Sequence, residues 1–411
     1  MQRKYGTMHF NILGLAIPLF AGLMALEYYF SIRKNKKVFH FEESVANLNI
    51  GIAERLTDLF TAGLFFFIFD RIQHKLGLFN IKANWLTWIS LFFATDFIWY
   101  WYHRFGHEVN IGWAVHVVHH QSEDYNFTVS ARITVFQSLC RCLFWCILPL
   151  LGFPASMITF FLLIHGAYPF FTHTQLIGKL GFLEYFMVTP SHHRVHHSSN
   201  EPYLDKNYGD ILILWDKLFG TFAKEEEAPV YGLTKPLNSY SFLWQLFHFP
   251  LEMGVAFSRA KGLKNKWNIL FGKPDLIDPT IRTALEDKLL ARQPFTLYKP
   301  NLYRYIFLNT LFTLVILFLV ISFSYYLNPR QLTLAVLFIL LSSIHSGAML
   351  EQRKWVFYLD YFRLAVLFIL ASSFQTFLWI NFIVLTALLI VLLYQKNISR
   401  RYFNFLYQKT N

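Results

Sequence analysis

Cysteine is nearly missing from this chain. Only Cys140, Cys142 and Cys146 occur in 411 residues, all within one apolar stretch. With no thiol elsewhere to pair with them, they argue against a disulfide framework or a thiolate metal site and read as apolar filler. Charge is scarce too. Asp, Glu, Lys and Arg make up 15% of the residues against 55% apolar, more than a soluble core of this size can bury, so the composition reads as a membrane protein. Acid is scarcer than base, 25 residues against 37, for a net charge of +12. The basic residues are scattered through loops and turns beside apolar runs, which suits anionic headgroups. No nucleic-acid partner is expected.

Several catalytic signatures are also missing. There is no Gly-rich dinucleotide fingerprint, no haem-attachment C-x-x-C-H and no flavin domain, so electrons for any redox chemistry must come from an external donor. The zinc-protease pattern H-E-x-x-H fails, because His107-Glu108 is followed by Ile111 where the second histidine should stand. No internal repeat is visible. The first apolar run is too long for a cleavable signal peptide and lacks a small-residue cleavage site.

Long apolar runs are abundant. Nine candidate spans lie at Phe10 to Phe30, Ile50 to Phe69, Ala83 to Tyr102, Ile133 to Phe153, Pro154 to Phe171, Tyr305 to Leu327, Gln331 to Leu350, Trp355 to Ser373 and Phe374 to Tyr394. A helix of about 20 residues crosses a hydrocarbon core. Glu54, Arg55, Asp58, Asp96 and Arg141 interrupt some of these runs, which implies tilt or mutual packing. The expected fold is therefore all-α, a multi-pass integral membrane helical protein. Three blocks follow. Residues 1–222 carry spans and histidines, 223–303 form a cytoplasmic or interfacial segment with an amphipathic run from Ser241 to Phe257, and 304–411 form C-terminal transmembrane helices. Arg33, Lys34, Lys36 and Lys37 mark an inside loop. With nine spans, Arg353, Lys354, Lys396, Arg400 and Arg401 then fall inside as well, and the histidines sit on the cytoplasmic side. That face belongs to the endoplasmic reticulum in a eukaryote and to the inner membrane in a bacterium.

Eleven of sixteen histidines lie between His103 and His197. They form His103-x-x-x-His107, His116-x-x-His119-His120 and His193-x-x-His196-His197, each at the three- and four-residue spacing of one helix face. Eight neutral nitrogens are more than one first-row ion takes, about six at most, so a cap holding two metals is implied. His173, at a membrane exit, is a candidate to complete it. Asp96 falls on one stripe with His103 and His107, two turns deeper, where its natural partner is a ring N–H of a ligand histidine. Glu108 is read as an oxygen ligand or proton acceptor, against an ordinary interfacial carboxylate. His165 is read as a packing residue and His192 as lying off the ligand face. His9, His40, His74 and His248 are read as core histidines, and His345 as a helix-to-helix contact. Imidazoles without thiolate suit iron, zinc or copper. A hydrolytic zinc needs only three or so protein ligands, whereas ligand excess around two adjacent ions fits iron that activates O2. A cage at the membrane face can take a lipid substrate directly from the bilayer.

These residues resemble the fatty acid hydroxylase superfamily, also called the sterol desaturase family. The resemblance spans about Asn47 to Phe222 and rests on His103-Arg-Phe-Gly-His107-Glu108, Trp113-Ala-Val-His116-Val-Val-His119-His120, Thr189-Pro-Ser-His-His193-Arg-Val-His196-His197, and the run from Asp205-Lys-Asn-Tyr208-Gly to Trp215-Asp-Lys-Leu-Phe-Gly-Thr-Phe222. Residues His116 to Asn126 are most similar to the alkylglycerol monooxygenase branch. The resemblance implies two iron ions on the cluster histidines, a required Glu108, tetrahydrobiopterin as reductant and oxygen insertion at the ether-linked carbon of an alkylglycerol. Asp205 and Asn207 are read either as hydrogen-bond partners of ligand histidines or as turn residues. The alternatives are a sterol or fatty-acyl hydroxylase or desaturase on the same scaffold, and, from another class, a metal-handling membrane transporter. Transit sites bind weakly near the midplane; eight ligands at one membrane face argue against that.

Overall fold

The structure is a computed structural model describing residues 9–290, 300–374 and 378–407. Among these residues every regular element is a helix, and the only β features are two isolated bridges, Met187–Leu212 and Ser198–Tyr231. The all-α expectation holds.

One unit runs from Leu26 to Ser239 and from Leu243 to Arg292. The C-terminal part of α1 (Ala16–Arg33), from Leu26 on, leads into α2 (Phe41–Leu76), α3 (Trp85–Glu108) and α4 (Asn110–His116). A 3-10 turn at Val117–His120 is followed by α5 (Phe127–Ser130), α6 (Gln137–Trp145), α7 (Ile147–Leu151), α8 (Ala155–Thr172), α9 (Pro190–His196) and α10 (Leu214–Phe219). The amphipathic α11 (Phe242–Arg259), α12 (Leu263–Phe271) and α13 (Thr280–Leu289) close the unit. Asn84 caps α3 by accepting from the Thr87 amide at 3.1 Å, while Thr87 bonds back to Asn84. The core joins Phe65 and Phe69 of α2, Leu91, Trp99 and Tyr102 of α3, Trp145, Leu148, Ile158 and Phe161. Trp99 meets Trp145 edge-on at 5.3 Å, a contact worth about 1 kcal/mol beyond area burial.

The corner between α3 and α4 positions the first histidines. A Cβ on Gly112 would lie 2.3 Å from the Phe105 carbonyl oxygen, and one on Gly106 would touch the His116 Cβ at 3.3 Å. Two glycines thus let the helices approach until His103 and His107 face His116. Several polar residues of α2 are paired: Arg55 bonds Glu54 and Asp58, and Asn47 donates to Ser122 and Thr128.

Four described helices are long and apolar enough to cross a membrane: Ile12–Arg33, Ala155–Thr172, Pro300–Ser322 and Pro329–Leu350. The expected span from Ile133 to Phe153 is not one helix. It breaks at Cys146 into α6 and α7, because Pro149 has no amide to donate back toward Trp145 and Gly152 turns the chain at φ 106°. The run Ile50 to Phe69 lies inside the continuous α2, and the run Ala83 to Tyr102 lies in the continuous α3 from Trp85 onward.

The second unit contains α14 (Pro300–Ser322), α15 (Pro329–Leu350), α16 (Val356–Ser372), α17 (Leu378–Leu393) and α18 (Gln395–Tyr407). Residues 375–377 of the last expected span lie outside the described residues. Its polar centre is the buried pair Arg363–Asp360 at 2.7 Å, joined by Tyr305, Asn309 and Ser342. His345 lies 3.7 Å from Asp360 and 3.5 Å from the Tyr402 hydroxyl, between helices as expected.

Candidate metal centre

Nine histidines converge in two groups. His103, His107, His116, His120 and His196 form one, and His119, His173, His193 and His197 the other; in each, the potential ligand atoms lie within 4.8 Å of one another. The groups adjoin, since the His120 and His197 rings stack 4.4 Å apart. His173 sits centrally in the second group, its Nε2 being 3.2 Å from His119, 3.1 Å from His197 and 3.2 Å from His193. In the first group the His116 Nε2 lies 3.0 Å from both His103 and His120.

Main-chain carbonyls orient the rings. The Nδ1 of His103 lies 2.8 Å from Tyr208 O, that of His119 3.1 Å from Arg132 O, that of His173 2.6 Å from Pro169 O and that of His196 2.9 Å from Lys206 O. A carbonyl only accepts, so each of these Nδ1 atoms carries the proton and each Nε2 presents a lone pair inward. His119 and His173 then point two lone pairs at each other across 3.2 Å. The His107 and His196 Nε2 atoms are buried without any partner. Protonation is a poor remedy, because burial and the neighbouring imidazoles hold His116, His119, His120, His193, His196 and His197 well below their ordinary value, while burial brings His173 to about 4. A cation between the lone pairs resolves the arrangement, so the donor set fits the metal pair that the histidine spacing implies.

The run Asp205-Lys-Asn-Tyr-Gly forms a turn beside the rings. Asp205 and Asn207 adopt left-handed φ of 57° and 56°, which turns the intervening carbonyls toward the rings. Asp205 also comes within 3.7 Å of the His107 Nδ1, and the Asn207 side chain ties His192 O to Ala223 O. Asp216 holds this loop: its carboxylate accepts from the Tyr208 and Gly209 amides and the Thr221 hydroxyl, each at 2.7 Å. Sequence reasoning missed Asp216. Its signal was its place in the family run from Trp215 to Phe222, which gave it no role.

Asp96 meets a different histidine from those expected. It accepts from the Ile211 and Leu212 amides and the Trp215 indole, and its neighbour is His165 at 3.6 Å, which in turn bonds Asp210 at 2.6 Å. His165 therefore belongs to a buried third cluster with Asp96 and Asp210. Glu108 accepts from Arg104 at 2.9 Å and lies 3.5 Å from the Tyr208 hydroxyl, whose ring covers His107 at 5.3 Å. It stands at the rim of the five-histidine group. His192 accepts from the Thr189 amide and so caps α9. His40 pairs with Asp124, and His248 lies between Gln121 and Glu252.

A helical membrane chain with such a cage defines a class, and the comparisons agree. The family model described as Fatty acid hydroxylase matches residues 88–221. Alkylglycerol monooxygenase from Homo sapiens is 36% identical over 82% of this chain and 77% of its own length. The Danio rerio protein of that name is 31% identical over 86% and 81%, and that of Xenopus tropicalis 35% over 61% and 56%. The chain therefore belongs to the fatty acid hydroxylase family, in its alkylglycerol monooxygenase branch, which makes it an oxidoreductase and a lipid monooxygenase. No solved structure matches it.

Proposed function

We propose that the chain holds two metal ions, read as iron, one in each histidine group, and uses O2 to hydroxylate the ether-linked carbon of an alkylglycerol-type lipid. The observation that carries this is the pair of facing lone pairs at His119 and His173; the branch relatives supply the substrate class. Bound there, the metals would supply O2 activation. In the overall balance one oxygen atom enters the C–H bond beside the ether oxygen and the other leaves as water. Two electrons and two protons come from an external reductant, for which tetrahydrobiopterin fits the branch. The hemiacetal then breaks its C–O bond to an aldehyde and a glycerol hydroxyl.

The chain's own residues hold and move protons. Carbonyls of Arg132, Pro169, Lys206 and Tyr208 keep the Nδ1 protons outward and the Nε2 atoms inward. The Tyr208 hydroxyl, donating to Glu108 at the rim, offers a proton route between water and the five-histidine group. Asp96 acts by holding the loop before Trp215 rather than by touching substrate. The basic loops favour a cytoplasmic position for this cage, with residues 1–222 read as carrying the chemistry, 223–303 as a cytoplasmic or interfacial segment and 304–411 as C-terminal transmembrane helices.

The test is metal analysis of purified protein joined to a product assay on ether lipids, sterols and acyl lipids, with and without reduced pterin. About two firmly held ions per chain and aldehyde from the ether lipid alone are expected. Substoichiometric, freely exchanging metal with no oxygenated product would favour a transporter and overturn the proposal.

A further inference from the structure

Helix α12 presents three different faces. Ile269, Leu270 and Lys266 are half-buried against the protein, and Lys264, Asn265 and Asn268 are exposed and polar. The third face is apolar yet exposed: Leu263, Trp267 and Phe271, spaced four residues apart, are 88%, 63% and 42% exposed. Trp267 and Phe271 associate with each other, their rings 4.2 Å apart. Residues 261–275 carry Lys261, Lys264, Lys266 and Lys273 against a single carboxylate, Asp275. An apolar stripe of this size facing water is costly, and its basic border matches an anionic headgroup layer. The helix is tied to the site, because the Asn110 amide at the start of α4 donates to the Gly272 carbonyl at 2.8 Å. Asn110 follows Glu108 by two residues.

We propose that α12 is a leaflet-docking helix: Leu263, Trp267 and Phe271 enter the acyl region of an anionic monolayer while the exposed Lys261, Lys264 and Lys273 meet its headgroups. Docked so, it holds the α3–α4 corner, with His107 and Glu108, against the lipid surface from which substrate leaves. This rests on the membrane reading of the chain and not on the metal or substrate assignment, so its test reads depth and not turnover.

The experiment uses the full chain in lipid nanodiscs of phosphatidylcholine with phosphatidylglycerol, in a background where Cys140, Cys142 and Cys146 are alanine. Nitroxide labels are placed singly at Leu263→Cys, Trp267→Cys, Asn265→Cys and Asn268→Cys. Labels at 263 and 267 are expected to be reached by oxygen and shielded from an aqueous nickel chelate, with the order reversed at 265 and 268. Replacing phosphatidylglycerol by phosphatidylcholine should reduce the shielding at 263 and 267 several-fold. Equal nickel access at all four positions overturns the proposal. So does dipolar broadening between two labels at 267, which would show that a second copy covers the stripe.

Discussion

A single imidazole nitrogen is a weak clue; its partner on the far side of the ring is a strong one. Once the His119 and His173 Nδ1 atoms are committed to Arg132 and Pro169 carbonyls, their Nε2 atoms have no proton to share. His119→Ala leaves three nitrogens in its group, and His196→Ala four in the other. Each is expected to lose metal and abolish turnover, as elemental analysis and product assay would report; full metal and full activity in either would remove that residue from the cage. Glu108→Gln separates two roles. If Glu108 passes protons with Tyr208, kcat falls about 100-fold with metal content intact, whereas parallel loss of metal would make it a ligand. The cluster histidines were legible because helical spacing is written in the sequence. His173 stands alone in the chain, at the end of α8 where carbonyls go unpaired, and only the fold shows its ring turning back to Pro169. The role of Asp96 was half legible: burial demanded partners, but sequence gave no means of finding amides 115 and 116 residues away.

Elements carry the cage by close approach. The α3–α4 corner closes because Gly112 lacks a Cβ where Phe105 leaves no room. Gly112→Ala should cost about 2 kcal/mol, read as a lowered thermal midpoint with metal content falling alongside. Helix α11 is tied to α13 by Glu252, which accepts from His248 at 2.9 Å and from Arg282 at 2.7 Å. Burial raises the Glu252 carboxyl, yet hydrogen bonds from His248 and Arg282 and the Arg282 charge hold it below its ordinary value. With the folded value depressed, its contribution is present above the unfolded value and is lost as pH falls through the folded one. Glu252→Gln should therefore lower stability by about 3 kcal/mol at neutral pH. The gap to the parent should close in acid, as thermal unfolding against pH would show. Hydropathy read α8, α14 and α15 well, since each is a continuous apolar run. It failed over Ile133 to Phe153, where composition is mostly apolar apart from Arg141 but Pro149 and Gly152 decide the backbone.

At the scale of the whole molecule, the nine-histidine centre draws on α3, α4, the following 3-10 turn, the end of α8 and α9. Metal binding and folding of this unit should therefore be linked. An ion at a hundredfold excess over its Kd adds about 2.7 kcal/mol. Chelation is expected to lower the thermal midpoint by several degrees and re-addition to restore it; an unchanged midpoint would show that the elements hold the cage without metal. The tethering of four rings by peptide oxygens has one more consequence. Substituting Lys206 or Pro169 swaps the side group and keeps the acceptor, so a mutational scan would score these positions as silent while missing what they contribute. Their part would surface only when the main chain itself is shifted, by an insertion, a deletion or an amide-to-ester exchange.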